Sequence, residues 1–193
     1  MKLILASSNE HKAKELTELL KAFDVQAASE KLEVIEDGED FMENAAKKAS
    51  AYFDKFSAPV ISDDSGLVVE ALPNELGVHS ARFGGEGLTD RERAELLLEK
   101  MKGVENRDCY FICYLCVILS EQETYFFEGR LKGKIAHEYK GEHGFGYDPV
   151  FIPLAFNDEG KTVAQAPEWK MLNSHRAVAS ARLNEFFEEQ QRN

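Results

Sequence analysis

A chain of 193 residues has room for one domain with a substantial core. With 44% hydrophobic and 30% charged residues it reads as a soluble globular protein, not a disordered one. A formal net charge of −12 argues against duplex nucleic acid or an anionic membrane as the main partner, but leaves room for a small anion held by local lysines or a metal.

In chain order, Lys2 to Ala6 predicts a buried strand that runs into the polar loop Ser7-Ser8-Asn9. Ala13, Leu16, Leu20 and Phe23 recur at helical spacing, which predicts a helix from Glu10 to about Ala22 with Asn9 as its cap. Such a unit aims backbone N–H groups at whatever lies above the loop, an arrangement suited to phosphate, and Lys12 can add a charge. The same residues also fit a plain capped helix with a solvated lysine. The glycines of a Walker loop are absent. The apolar part of the N-terminus is too short for a signal peptide, and the longest apolar run, Phe111 to Leu119, is about half of what spans a bilayer. The cytoplasm is the expected compartment.

Val25 to Ala28 and Leu32 to Ile35 read as short strands. Asp40 and Glu43 have capping-box spacing ahead of a helix to about Phe56. Glu36, outside that helix at a strand end, is the acid hardest to explain as a cap. Next comes Pro59 to Leu72, where two apolar runs flank Ser62-Asp63-Asp64-Ser65-Gly66. The knot fits either an acidic turn with Gly66 at positive φ or a metal or proton-transfer site, because buried carboxylates need partners.

After a loop with Pro73 and Gly77, the segment His79 to Gly85 is rich in glycine and carries Arg82. Thr89 and Glu92 form a second capping box, starting a helix to about Lys102. Asp108 to Leu119 and Glu123 to Leu131 predict a β-hairpin, and Lys134 to Tyr139 extends the β region. Cys109, Cys113 and Cys116 fall in the first of these strands. Cys109 and Cys113 share a face roughly 13 Å apart at about 3.3 Å per residue, so the three cannot meet at one metal and read as buried thiols.

Gly141 to Pro149 combines three glycines with Phe145 and Tyr147, which fits a tight turn or a stacking platform for a nucleobase. Lys170 precedes Ser174, the expected cap of a last helix to about Glu189. His175 and Arg176 fall in its first turn, where cations oppose the helix dipole unless an anion or polar ligand is near.

Sorted by chemistry, the loops offer phosphate donors (Ser7 to Lys12, Lys170), carboxylates for a hard cation (Glu36, Asp63, Asp64), an aromatic platform and a His-Arg pair. Those are the parts of a nucleotide site with Mg²⁺. No Ser/His/Asp triad spacing, HExxH motif or Rossmann fingerprint is present. SSNEHK, FMENA at 41–45, ISDDSGL at 61–67, SARFGG at 80–85, GFGYDP at 144–149 and SHR at 174–176 occur in this order. Together they resemble the inosine triphosphate pyrophosphatase family, the HAM1/RdgB-like XTP/dITP diphosphatases, over nearly the whole chain.

The resemblance implies a single α/β domain over residues 1–193, two-lobed, with a long central mixed sheet flanked by helices and the substrate cleft between the lobes. It implies a homodimer and Mg²⁺-dependent hydrolysis of noncanonical purine triphosphates (ITP, dITP, XTP) to the monophosphate and pyrophosphate. Carried over by motif, Ser7, Ser8, Asn9, Glu10, His11 and Lys12 bind the triphosphate, and Glu36 and Asp64 hold Mg²⁺. Asp64 is also the proton acceptor, Ser65 a substrate contact and Asp63 a supporting acid. Phe145, Gly146, Tyr147 and Asp148 hold the base and sugar side, joined by Lys170, His175 and Arg176. Ser8 stands where the family often has glycine. Arginine only donates, so Arg176 would accept a 6-keto base over adenine, a hydrogen bond worth roughly 1.5–3 kcal/mol. Two other readings stay open: a related pyrophosphatase for standard or pyrimidine triphosphates, and a non-catalytic nucleotide binder.

Overall fold

The computed structural model describes residues 1–156 and 159–192. Its strands are β1 (Lys2–Ala6), β2 (Asp24–Ala27), β3 (Val60–Val69), β4 (Asp108–Ser120), β5 (Glu123–Ile135) and β6 (Phe151–Pro153). They form one mixed sheet in the order β2-β1-β3-β4-β5-β6. β1 pairs in parallel with both β2 and β3, whereas β5 and β6 are antiparallel. Strands covered on both faces read as continuous apolar runs, which is why Lys2–Ala6 and the start of β3 were legible.

Five helices accompany the sheet: α1 (Glu10–Leu19), α2 (Phe41–Phe56), α3 (Asp90–Lys100), α4 (Pro167–Asn173) and α5 (His175–Arg192). Their starts follow local chemistry. Asn9 accepts from the Lys12 amide at 3.1 Å, and Thr89 with Glu92 closes a full capping box. At α2 the box is shifted by one residue: Asp40 accepts from the Glu43 amide, but Glu43 accepts from the Glu39 amide. Among the described residues no helix is long and apolar enough to cross a membrane.

The chain divides into two compact units. The first comprises Met1–Ser65, Cys113–Gly129 and His175–Asn193, the second Gly66–Ile112 and Arg130–Ser174. In the first, one core gathers Leu3, Leu5, Leu16, Ile61, Leu115 and Leu183, and another gathers Ala45, Ala49, Tyr52 and Val60. In the second, Leu67, Leu97, Met101, Phe111 and Phe151 lie in a single core. The three cysteines are buried free thiols on β4, as expected, and burial pushes the Cys113 and Cys116 thiols up to about 12.

Three expectations need correction. Ser62 to Gly66 is not a turn between two strands; it lies inside β3, and Gly66 is not among the residues at positive φ. Leu32 to Ile35 is not a strand. Leu32 and Val34 pack inward, but the Leu32 amide donates to the Tyr52 hydroxyl at 2.9 Å instead of joining a ladder, and Ile35 is 77% exposed. The β region of 134–139 ends at Ile135, and β6 and α4 were not foreseen.

Candidate active site

In the first unit, β3 carries its two aspartates into the protein interior. Asp63 is 1% exposed and Asp64 7%. Neighbouring side chains point to opposite faces of a strand, so the pair does not share one environment. The Ser62 hydroxyl donates to the Ala45 carbonyl at 2.6 Å and ties this part of β3 to α2.

Asp63 is surrounded by cations. Arg176 donates to its Oδ2 from Nη2 at 3.0 Å and from Nε at 3.4 Å, and Lys12 Nζ lies 3.6 Å away. Burial would raise the Asp63 pKa, but Lys12, Arg176 and Lys48 hold it well below the usual carboxylate range. Its Oδ1 is buried without a hydrogen-bond partner.

Arg176, 1% exposed, is engaged on three sides. Besides Asp63 it donates to Glu15 Oε2 at 2.6 Å and to the Ser65 hydroxyl at 2.9 Å. These carboxylates are the anions that a cation in the first turn of α5 needs. Gly129 on β5 permits the close approach of that turn, since a Cβ there would meet the His175 carbonyl at 2.0 Å. Its guanidinium serves Asp63, Glu15 and Ser65, a positioning role that sequence reasoning did not foresee. His175 is likewise buried, at 6% exposure.

Asp64 differs from its neighbour. It accepts from the Ser65 amide at 3.0 Å. Burial pushes its pKa up to about 6; Lys12 and Lys48 pull it down, while Glu36 and Asp63 add to the rise. Lys48, 12% exposed, lies 3.0 Å from Glu36 Oε1 and donates to the Asp63 carbonyl at 3.0 Å. Ser8, Asn9, Glu10 and His11 are exposed at the start of α1, with the Ser7 hydroxyl accepting from the Asn9 amide.

Among the described residues no three His, Cys, Asp or Glu side chains converge as a metal cage. Magnesium does not require one: it is commonly held by one or two carboxylates plus water and substrate phosphate. Glu36 and Asp64 offer oxygen donors, and one oxygen of the neighbouring Asp63 is buried without a partner. The residues present fit a hard divalent cation.

In the second unit the glycine-rich loop is anchored by carboxylates. Asp148 accepts from the Phe145 amide at 2.9 Å and from Lys170 Nζ at 2.7 Å, and Asp90 accepts from the Gly146 amide at 2.7 Å. Gly144 has φ +80, and a Cβ there would strike Asp148 Oδ2 at 2.1 Å. Lys170 also lies 4.4 Å from the Phe145 ring centroid, a cation–π contact. Lys170, 5% exposed, braces this loop through Asp148 and Phe145.

The two aromatics also part company. Phe145 is half-buried, whereas Tyr147 is 6% exposed and donates its hydroxyl to the Ser80 carbonyl at 2.7 Å. Tyr147 thereby acts as a strut of the loop. The SARFGG segment is structural too: Ser80 bonds Leu67, and Arg93 donates to the Phe83, Gly85 and Leu88 carbonyls.

Sequence reasoning missed Glu15, Lys48 and Asp90. A signal existed for Lys48: it stands three residues after Ala45 and four before Tyr52, on the buried side of α2. Glu15 directly precedes the core residue Leu16, and Asp90 reads as an ordinary first-turn acid.

Known proteins resemble this chain over almost its whole length. A profile of the Ham1 family matches residues 3–186. The dITP/XTP pyrophosphatase of Aquifex aeolicus (strain VF5) is 40% identical over 195 aligned positions, covering 95% of this chain and 95% of that protein. The dITP/XTP pyrophosphatase of Bacillus subtilis (strain 168) is 40% identical over 193 positions, covering 96% of each. The Staphylococcus aureus Ham1 protein superposes with a TM-score of 0.87 at 36% identity, covering 98% of this chain and 100% of that one. A HAM1 protein from Coxiella burnetii follows at 0.86 and 32%, covering 98% and 99%. The chain belongs to the Ham1 family.

Proposed function

We propose that this protein is an enzyme that hydrolyses noncanonical purine nucleoside triphosphates (ITP, dITP and XTP) to the nucleoside monophosphate and pyrophosphate. The observation that carries the proposal is Asp64: buried, with a pKa near 6, beside Asp63 and Glu36 and under the charge of Lys12 and Lys48. A carboxylate that takes up a proton close to neutral pH suits a general base, and lysines beside it suit a polyphosphate. The substrate class follows relatives named dITP/XTP pyrophosphatase.

In the proposed reaction a water oxygen attacks the α-phosphorus. The bond from that phosphorus to the bridging oxygen of the β-phosphate breaks, and pyrophosphate leaves with the electron pair. Asp64 accepts the proton of the water. Lys12, Lys48 and the exposed start of α1 bind the phosphates, with positioning and charge neutralisation supplying most of the catalysis. Mg²⁺, held by Glu36 and Asp64, would neutralise charge on the phosphate oxygens. Ser65 remains a proposed substrate contact, and Phe145 offers its ring to the base while Asp148, Gly146 and Lys170 hold its loop. Arg176 and Glu15 fix Asp63 and Ser65 on either side of Asp64. A cytoplasmic homodimer belongs to the same proposal, and light scattering on the purified protein checks the dimer.

Pyrophosphate release from ITP, dITP, XTP, GTP, ATP and dUTP tests the reading. The expected kcat/KM for ITP, dITP and XTP is higher than for GTP, ATP and dUTP, in line with the substrates that the relatives' names carry. Equal turnover across the six would remove the selectivity, and no turnover would favour a nucleotide binder.

A further inference from the structure

Lys48 stands among the carboxylates Asp63, Glu36 and Asp64 in the first unit. Its Nζ is 3.0 Å from Glu36 Oε1 and 3.0 Å from the Asp63 carbonyl, and the side chain is 12% exposed. The carboxylates of Asp63, Glu36 and Asp64 all act on it; burial opposes its charge, yet together they raise its proton affinity. Glu36 and Asp64 are the two carboxylates proposed for Mg²⁺. We infer that Lys48 is a resident counter-cation that keeps divalent metal out of the ligand-free site, so that metal enters together with the triphosphate.

Glu36, one of the proposed metal ligands on which this inference rests, and Lys48 are firmly held together. Lys48 projects from α2, whose Ala45, Ala49 and Tyr52 are locked in the core. The segment bearing Glu36 is pinned to the same helix at three points. Leu32 donates its amide to Tyr52 Oη at 2.9 Å, Gly38 to Asn44 Oδ1 at 2.8 Å and Glu39 to Glu43 Oε2 at 2.9 Å. Glu36 therefore has little freedom to leave the ammonium group.

A divalent ion needs its carboxylate oxygens at roughly 2.0–2.6 Å and repels an ammonium placed on the same oxygen. Metal alone must displace Lys48 from a partly buried ion pair and gives it no new partner. A triphosphate supplies anionic oxygens to which the ammonium can turn. Metal and nucleotide binding are then coupled, and each tightens the other by the same factor.

Isothermal titration with MgCl₂ tests this on the wild type, Lys48→Met and the charge-retaining Lys48→Arg, each alone and with α,β-methylene-dITP, which cannot be cleaved. Circular dichroism confirms that each variant is folded. Wild type and Lys48→Arg should bind Mg²⁺ well only with the analogue. Lys48→Met should bind Mg²⁺ alone more tightly by a factor on the order of 10 to 100, as expected when a like charge is removed at this range. Equal Mg²⁺ affinity of wild type and Lys48→Met without nucleotide overturns the inference, whether both are tight or both weak. In the weak case, Mg²⁺ binding restored by the analogue leaves Glu36 and Asp64 as metal ligands; no Mg²⁺ binding even then removes that assignment as well.

Discussion

Asp63 and Asp148 are both buried aspartates beside a cation, and their surroundings differ in a way that separates chemistry from scaffolding. Asp148 accepts from Lys170 and from the Phe145 amide, and Lys170 lies against the Phe145 ring. A carboxylate and an ammonium face each other there as a buried ion pair. Around Asp63 stand Lys12, Arg176 and Lys48, with Glu15, Glu36 and Asp64 close by, and one Asp63 oxygen lacks a hydrogen bond. A closed pair holds a loop in place. An open cluster with a carboxylate near pH 6 is arranged for something that has still to bind.

Removing Asp64 should break this contrast most. Asp64→Asn should lower kcat by about 10²–10⁴-fold, the usual weight of a positioned base, in a pyrophosphate-release assay, while circular dichroism stays unchanged. Near-normal kcat would reduce Asp64 to a structural residue.

The closed pair should respond through stability instead. Lys170→Met takes the ammonium away from buried Asp148 and should cost about 3–5 kcal/mol in urea unfolding. Adding Asp148→Leu should recover much of that loss, because an apolar pair of similar volume replaces a buried ion pair at little cost. If the double variant is no better than the single one, the pair is not the scaffold described.

Acid and base should pull the two aspartates of β3 in opposite directions in metal-free protein. The folded pKa of Asp63 is depressed, so its contribution is present above the ordinary value of about 4 and is lost as pH falls below it. The folded pKa of Asp64 is raised to about 6, so its contribution is present at low pH and is lost as pH rises through about 6. The gap from 3.8 to about 6 corresponds to about 3 kcal/mol at most. Asp64→Asn should therefore stabilise the metal-free protein at pH 8 by about 1–3 kcal/mol, with no gain at pH 4. An equal melting shift at both pH values would contradict the burial of an ionised Asp64.

The smallest effect is expected at Tyr147. Tyr147→Phe removes one hydrogen bond to the Ser80 carbonyl and should cost about 1 kcal/mol with KM for dITP nearly unchanged. A large rise in KM would restore Tyr147 as a direct base contact.

Much of this was legible where the determinants are local. The Asn9 cap, the Thr89–Glu92 box and the β4–β5 pair depend on residues a few positions apart, and the sequence displays such spacings directly. Asp63 and Asp64 stood out because acids inside an apolar run are costly. The partner of Arg176 was not legible, because Glu15 lies 161 residues away and only the fold brings them together. The strut and brace bonds of Tyr147 and Lys170 were hidden for a related reason. Residue type shows a ring and a cation, but their partners Ser80 and Asp148 lie 67 and 22 residues away. Leu32 to Ile35 had strand composition, and Tyr52 took the amide that a ladder would have used.

Hydrolysis of dITP in ¹⁸O-labelled water tests the central claim most directly. Attack at the α-phosphorus with Asp64 as base predicts one labelled oxygen in dIMP, none in pyrophosphate, and loss of both products in Asp64→Asn. Label in pyrophosphate or inorganic phosphate, or undiminished labelled dIMP from Asp64→Asn, would contradict it.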